Sequence, residues 1–323
     1  KGRSLRQKSQ ISFFLSGNRL ASAVNMTMLA VGWPSRWSVI WPKRDMTKAR
    51  TLLIMRDAAA ISIVGLFLFP IFWWGLNSIK PVSALFDKDR IVFFDFEPSF
   101  INYWVTFSGD GPGVYDARQA IADTLIVALG STALVVAIGL FAAYALSRLS
   151  FRTKRLYIGL TIFQRFTPPI AIIIPIVSIF HTIGLFDTHV GLILMHTVMN
   201  LPIAILMLKS FFDEIPAEID DAAMIDGASR VTILFRICMP LIKGGIAATA
   251  VLCFIFSWTE FLMALFITNT IYTLPVKLSI VGTMTSGFSS ALGTVAMFPT
   301  LIFIFFVQKH LMRGLTLGMQ KDA

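Results

Sequence analysis

The sequence predicts an all-α polytopic membrane protein with six transmembrane helices, and three observations carry that expectation. Apolar residues make up 56% of the 323 positions and the mean hydropathy is +0.74, too apolar for an ordinary soluble domain. Apolar runs long enough to cross a hydrocarbon core, which takes about 20 helical residues, recur along the chain. The strongly basic loops between them all fall on one side, which is the positive-inside pattern. The formal charge of +10 therefore reads as membrane orientation and not as nucleic-acid binding.

Residues 1–45 hold eight Lys or Arg against the single acid Asp45, with Trp33, Trp37 and Trp41 four apart. One reading is an interfacial amphipathic helix, against which Pro34 and Pro42 count. The preferred reading is a non-native extension, the natural start lying at Met46, because MTKARTLLIMRD already gives the first span its basic flank. No cleavable signal pattern appears, so the first span, 58–76, is expected to stay as an anchor. The loop 80–120 has four basic and six acidic residues and a turn-rich SGDGPG stretch. It is expected outside as a small ordered cap, so that 46–120 forms the first span and its loop.

A permease core is expected over 121–314, with a tail at 315–323. The second span is 121–146, and the loop after it carries Arg148, Arg152, Lys154 and Arg155 without an acid, hence lies inside. The third span, 156–186, contains Pro168, Pro169 and Pro175, which break its hydrogen-bond ladder and place it against a bundle or cavity. The fourth is 190–212, the fifth 244–268 and the sixth 291–311. Lys309, His310 and Arg313 follow the last, so both termini are expected in the cytoplasm.

Between the fourth and fifth spans lies the stretch 213–243, with 6 of the chain's 18 acids. Pro216 suits a first helical turn, Glu218 and Asp220 suit the positive end of the helix dipole, and Gly227 suits a left-handed stop. Ile219, Ala222, Ala223 and Asp226 share one narrow face centred on two alanines, which another surface can approach closely. Val231, Leu234, Phe235 and Cys238 repeat the spacing, predicting a second amphipathic helix that ends near Pro240.

Asp221-Ala222-Ala223, Gly227, Ile237 and Met239-Pro240 together resemble the EAA loop of ABC importer permeases, whose pattern is Glu-Ala-Ala, Gly, then Ile-x-Leu-Pro at these spacings. Asp221 stands for the usual Glu and Met239 for the usual Leu. The wider resemblance to maltose-type carbohydrate permeases runs from about residue 121 to the C-terminus and includes Asp123-Thr124-Leu125, where the family usually has Asn. It implies the type I ABC importer permease fold, with Asp221, Ala222, Ala223, Asp226 and Gly227 on a cytoplasmic coupling helix that docks on an ATPase subunit. It also implies a homologous sister permease, two ATPase subunits carrying ATP and Mg, and an extracytoplasmic solute-binding protein.

Polar groups inside spans are costly and face a cavity or a partner. Gln164 and Arg165 are such a pair, with Arg165 open to a second reading as a cation snorkelling to the headgroups. His196 and Asn200 share one face of the fourth span with Thr197 beside them. Thr249, Cys253, Ser257 and Glu260 form a stripe on the fifth, adjoining Trp258. Aromatic rings beside hydroxyl and amide groups suit a sugar, so Gln164, Thr197, Asn200, Ser257, Trp258 and Glu260 are the candidates for a translocation path. The same side chains also serve as hydrogen-bonding glue between helices.

No Gly-Lys pair occurs, so the chain has no Walker A phosphate loop. His181, His189 and His310 lack ligands at metal spacing, and Cys238 and Cys253 form neither a metal nor a disulfide pattern. The chain is expected to bind no cofactor or metal itself and to catalyse no reaction. The expected function is ATP-driven import of a carbohydrate or sugar derivative across the inner membrane. The alternatives are a permease for polyamine or another small polar solute and, from a different class, an ATPase-independent channel or membrane receptor.

Overall fold

The computed structural model describes the backbone of residues 46–85, 92–108, 117–282 and 286–319, and it is helical, with no strand among them. The 1–45 segment lies outside the described residues. The chain divides into two compact units at Phe67 and Leu68. Helix α1 (Met46–Ser78) opens the described chain, and its stretch from Ile54 to Phe67 is exposed throughout.

In the second unit, short helices α2 (Val82–Leu85) and α3 (Ile101–Ser108) lie within the stretch 80–120. The Asn102 amide donates to the carbonyls of Ser78 and Lys80 at 3.0 and 2.9 Å. The buried Lys80 ammonium donates to the Val92 carbonyl at 2.6 Å and lies 4.2 Å from the Trp73 ring centre. The Asn102 and Lys80 donors are thus paired, while the buried Asn102 Oδ1 bonds no described residue.

The core of the unit is the pair α4 (Arg118–Arg148) and α7 (His189–Asp213). Both are uninterrupted apolar helices, which is why the second and fourth spans appear where the sequence puts them. Helix α10 (Lys243–Trp258) lies against both. Gly245 on α10 is required by this packing, because a Cβ there would stand 2.4 Å from the Phe211 ring.

Two expected spans are not single helices. The third is α5 (Lys154–Phe166) and α6 (Pro169–Ile183), bent by 96°. Thr167 and Pro168 sit extended at the bend, since each precedes a proline and is pushed out of the helical region. The fifth, 244–268, stops at Trp258 at the end of α10 and resumes after three residues as the six-residue α11 (Leu262–Ile267). Just before it, helix α9 (Arg230–Leu241) turns by 81° into α10. Helices α12 (Leu274–Gly282) and α13 (Ser286–Met319) are the last described elements. α13 continues past residue 314, where the sequence reading ends the core. By length and composition, three described helices can cross a membrane, or five spans if each bent pair counts as one.

Candidate functional site

The 213–243 stretch folds as helix, turn, helix, and it is built around a carboxylate the sequence reading passed over. Helix α8 (Ala217–Ile225) begins after Pro216 and carries Glu218 and Asp220 in its first turn. At its end Gly227 adopts φ 82°, the Ala228 N–H bonds the Ala223 carbonyl at 2.9 Å, and the Gly227 N–H bonds the Met224 carbonyl at 3.0 Å. That is the Schellman stop, which needs a left-handed residue where glycine is least strained. Ser229 then caps α9 by accepting from the Thr232 N–H at 3.2 Å.

Within α9, residues Ile233–Cys238 are wound wider than an α-helix, the Met239 N–H reaching the Leu234 carbonyl five residues back. Pro240, which has no N–H to give, sits in the last turn, and the helix ends one residue beyond it. Ile233, Leu234 and Cys238 are buried against Leu140, Ala143 and Tyr144 of α4 and Leu208 and Phe212 of α7.

Helix α8 has an inner and an outer face. On the inner face Asp220 is 4% exposed. Its Oδ2 stands 3.1 Å from Arg148 Nε, an ion-pair contact off the line of a hydrogen bond, and accepts from the Tyr144 hydroxyl at 3.3 Å. Arg148 also donates to the Ile215 carbonyl at 2.8 Å, so the end of α4 clamps both the start and the first turn of the loop. Ala223 and Met224 continue this face into the core. Asp221, Ala222, Asp226 and Gly227 are exposed, and Ile225 is 87% exposed. The single face drawn through both alanines is therefore split: Ala222 points out and Ala223 in. Arg148, Asp220 and Tyr144 were the missed residues. The available signal was the spacing of Asp220, Ala223 and Met224 at i, i+3 and i+4.

A second cluster joins the middle of the bundle. His196 Nδ1 lies 2.5 Å from Ser257 Oγ, which lies 2.8 Å from Ser131 Oγ, linking α7, α10 and α4. His196 Nε2 faces Glu260 Oε2 at 3.3 Å without hydrogen-bond alignment. The Glu260 carboxylate accepts from the N–H groups of Met263 and Ala264 at 2.8 and 3.1 Å, capping α11 at the break. Trp258 donates to the Ala296 carbonyl at 2.9 Å and borders a cavity of about 300 Å3 with Leu125 and Pro299. Thr197 donates to its own helix at Ile193. Asn200 is buried beside it and its amide bonds no described residue.

Gln164 and Arg165 border a separate cavity of about 320 Å3, with Met195 and Met199 across it. Gln164 donates to the Val198 carbonyl at 2.8 Å. Arg165 lies 5.4 Å from the Phe256 ring centre on α10, a cation–π contact that turns it toward the bundle. At the end of the bundle far from 213–243, Asp123 is buried, accepts from Gln119 at 2.9 Å and meets His189 Nε2 at 2.8 Å. The acid that stood unassigned in the sequence thus ties α4 to the start of α7. Thr124 Oγ1 accepts from the Leu274 N–H at 2.6 Å, tying in α12.

The family model for binding-protein-dependent transport system inner membrane components matches residues 135–317. The trehalose transport system permease SugB of Mycobacterium tuberculosis is 35% identical over 80% of this chain and 94% of its own length. The sulfoquinovosyl glycerol transport system permease SmoH of Agrobacterium fabrum is 35% identical over 81% and 91%. Among solved structures, the crystal structure of a bacterial ABC transporter that imports the acidic polysaccharide alginate matches 81% of this chain and 97% of its own, with TM-score 0.66 and 20% identity. The chain belongs to the family of binding-protein-dependent inner-membrane components: it is a multi-pass permease subunit of an ABC importer, a transport subunit and not an enzyme.

Proposed function

We propose that this chain is one of two homologous permease subunits that carry a carbohydrate or sugar derivative inward by alternating access. An extracytoplasmic binding protein delivers the solute, and two ATPase subunits, which bind ATP and Mg, dock on α8. The observation that carries this reading is the outer face of α8. Ala222 and the 87% exposed Ile225 stand on a helix whose other face is fixed by Asp220 to Arg148. Ile219, Ala222 and Ile225 recur at every third residue and leave exposed apolar side chains together on a helix held from behind, which supports a protein partner. A clamp at the start of the helix makes α8 a lever on α4, the kind of rigid coupling by which domain motion passes between packed elements.

The basic loop after α4 supports a cytoplasmic location for this end of the bundle, and with it the proposed cytoplasmic termini. For the path we propose Gln164 and Asn200 as solute-facing groups, since one borders a cavity and the other keeps a free amide. Thr197, Ser257, Trp258 and Glu260 are proposed to shape the path by holding α7, α10 and α11 in register. A carbohydrate fits the neutral amides of Gln164 and Asn200 and the solutes named for the relatives, trehalose and sulfoquinovosyl glycerol. The test is uptake into proteoliposomes holding the assembled transporter, with its binding protein outside. Uptake of a labelled sugar that needs ATP and stops without the ATPase supports the reading; ATP-independent flux, or uptake of polyamine alone, overturns it.

A further inference from the structure

The loop that leads from α4 into α5 makes a basic cavity that the transport reading does not use. It holds about 620 Å3 and is lined by Ser150, Phe151, Arg152, Lys154, Arg155 and Ile158. No acid occurs from Ser147 to Arg155. Arg148, at the edge of this loop, is committed to Asp220 and Ile215. Lys154 reaches the Ser147 carbonyl at 3.3 Å. Arg152 and Arg155 are exposed and make no ion pair or hydrogen bond with any described residue. Two cations at the start of a helix also repel its positive dipole end, and an anion between them relieves both costs.

The surface of α5 beyond the cavity narrows the choice of anion. Leu156, Leu160 and Phe163 fall at i, i+4 and i+7 on α5 and are 58, 52 and 70% exposed. They make an apolar stripe about 10 Å long leading away from the cations. None of the residues of α5 is buried. Phe151 and Tyr157 pack edge to face at 6.0 Å between cavity and stripe, as aromatic pairs do at the headgroup level. A free phosphate satisfies the charge but has no use for the stripe. An acidic protein surface has none either.

We infer that Arg152 and Arg155, with Lys154 beside them, hold the phosphate of an anionic phospholipid whose acyl chains lie along Leu156, Leu160 and Phe163. The site steadies the elbow between α4 and α5 at the membrane surface, next to the Arg148 clamp.

Native mass spectrometry of the purified transporter complex tests this, titrated with phosphatidylglycerol or phosphatidylcholine. The expected result is retention of phosphatidylglycerol over phosphatidylcholine. The double variant R152Q/R155Q should weaken it on the order of thirtyfold, since each surface cation contributes on the order of one factor of five to attraction for an anionic lipid. L160N should weaken it as well, and excess inorganic phosphate should not displace it. Equal lipid retention by R152Q/R155Q overturns the proposal. So does displacement by inorganic phosphate, which marks a simple anion site, or loss of the lipid whenever the ATPase subunit is bound, which marks a protein-docking surface. Both arginines are exposed, so the variant leaves the fold intact.

Discussion

Arg148 at the end of α4 and Asp220 in the first turn of α8 meet at 3.1 Å, with both side chains at least nine-tenths buried. Removing one partner strands the other's charge in the interior, which costs about 3 kcal/mol. D220A is therefore expected to loosen the loop, seen as faster hydrogen exchange over residues 213–229 and a lower melting temperature. D221A, at an exposed position, should change stability by less than about 0.5 kcal/mol. Equal effects from the two would contradict the assignment of the clamp to Asp220.

Gly227 has open space around the position of a Cβ but holds φ at 82°. The cost of substitution is thus conformational: about 1 kcal/mol for a residue with a Cβ, more for a β-branched one, and less for Asn, which tolerates this region. G227N should retain transport, whereas G227V should assemble but transport poorly, with ATP hydrolysis no longer matched to uptake. Normal coupled uptake by G227V would show that the turn is not part of the lever.

Asp187, in the turn between α6 and α7, has a left-handed φ of 55°. Burial works to raise its pKa, but hydrogen bonds from the Thr270 hydroxyl and the N–H groups of Thr270, Asn269 and Ile271 outweigh this and hold it down to about 2. A carboxylate depressed on folding contributes stability above its unfolded value near 3.8, and loses it as pH falls from about 4 toward 2. The contribution is about 1 kcal/mol after screening at this partly exposed site. D187N, which tolerates the same backbone, should flatten the acid limb of a melting-temperature profile in that window. An unchanged limb would mean that other carboxylates dominate it.

Glu260 both caps α11 and faces His196. E260Q keeps an acceptor for the Met263 N–H, whereas E260A leaves two helix-end donors bare at a cost of about 1–2 kcal/mol. Hydrogen exchange over 262–267 should rise in E260A and stay near wild type in E260Q. If both variants abolished sugar uptake with exchange unchanged, Glu260 would be a solute ligand and not a positioning group.

The spans that could be read directly were those the chain builds from unbroken apolar helices. Residues 121–146 and 190–212 fall inside α4 and α7 because their apolar runs are long enough to sustain one helix each, even past the single Pro202 in α7. Prolines marked the third span as disturbed but not where: Pro175 lies within intact α6, while the adjacent Pro168 and Pro169 turn the chain through 96°. Gly227, with its left-handed φ, and Pro216, just before α8, have local roles, so their spacing was enough. The difference between Asp220 and Asp221 is not local. It depends on Arg148 and Tyr144 arriving from α4, a contact between distant segments that composition and periodicity do not encode. The stop before α11 was hidden for a related reason, since Glu260 reads as a polar residue in a span until its carboxylate is seen to take the N–H groups of the next helix.

The outer face of α8 is the proposed docking surface for the ATPase. The direct measurement is cysteine cross-linking in the active transporter, with Ala222→Cys or Ile225→Cys on a background in which the buried Cys238 and Cys253 are replaced. Both positions are expected to cross-link to the ATPase subunit, with a yield that changes with ATP. If both stay freely labelled by an aqueous thiol reagent while the complex transports, α8 is not the docking helix.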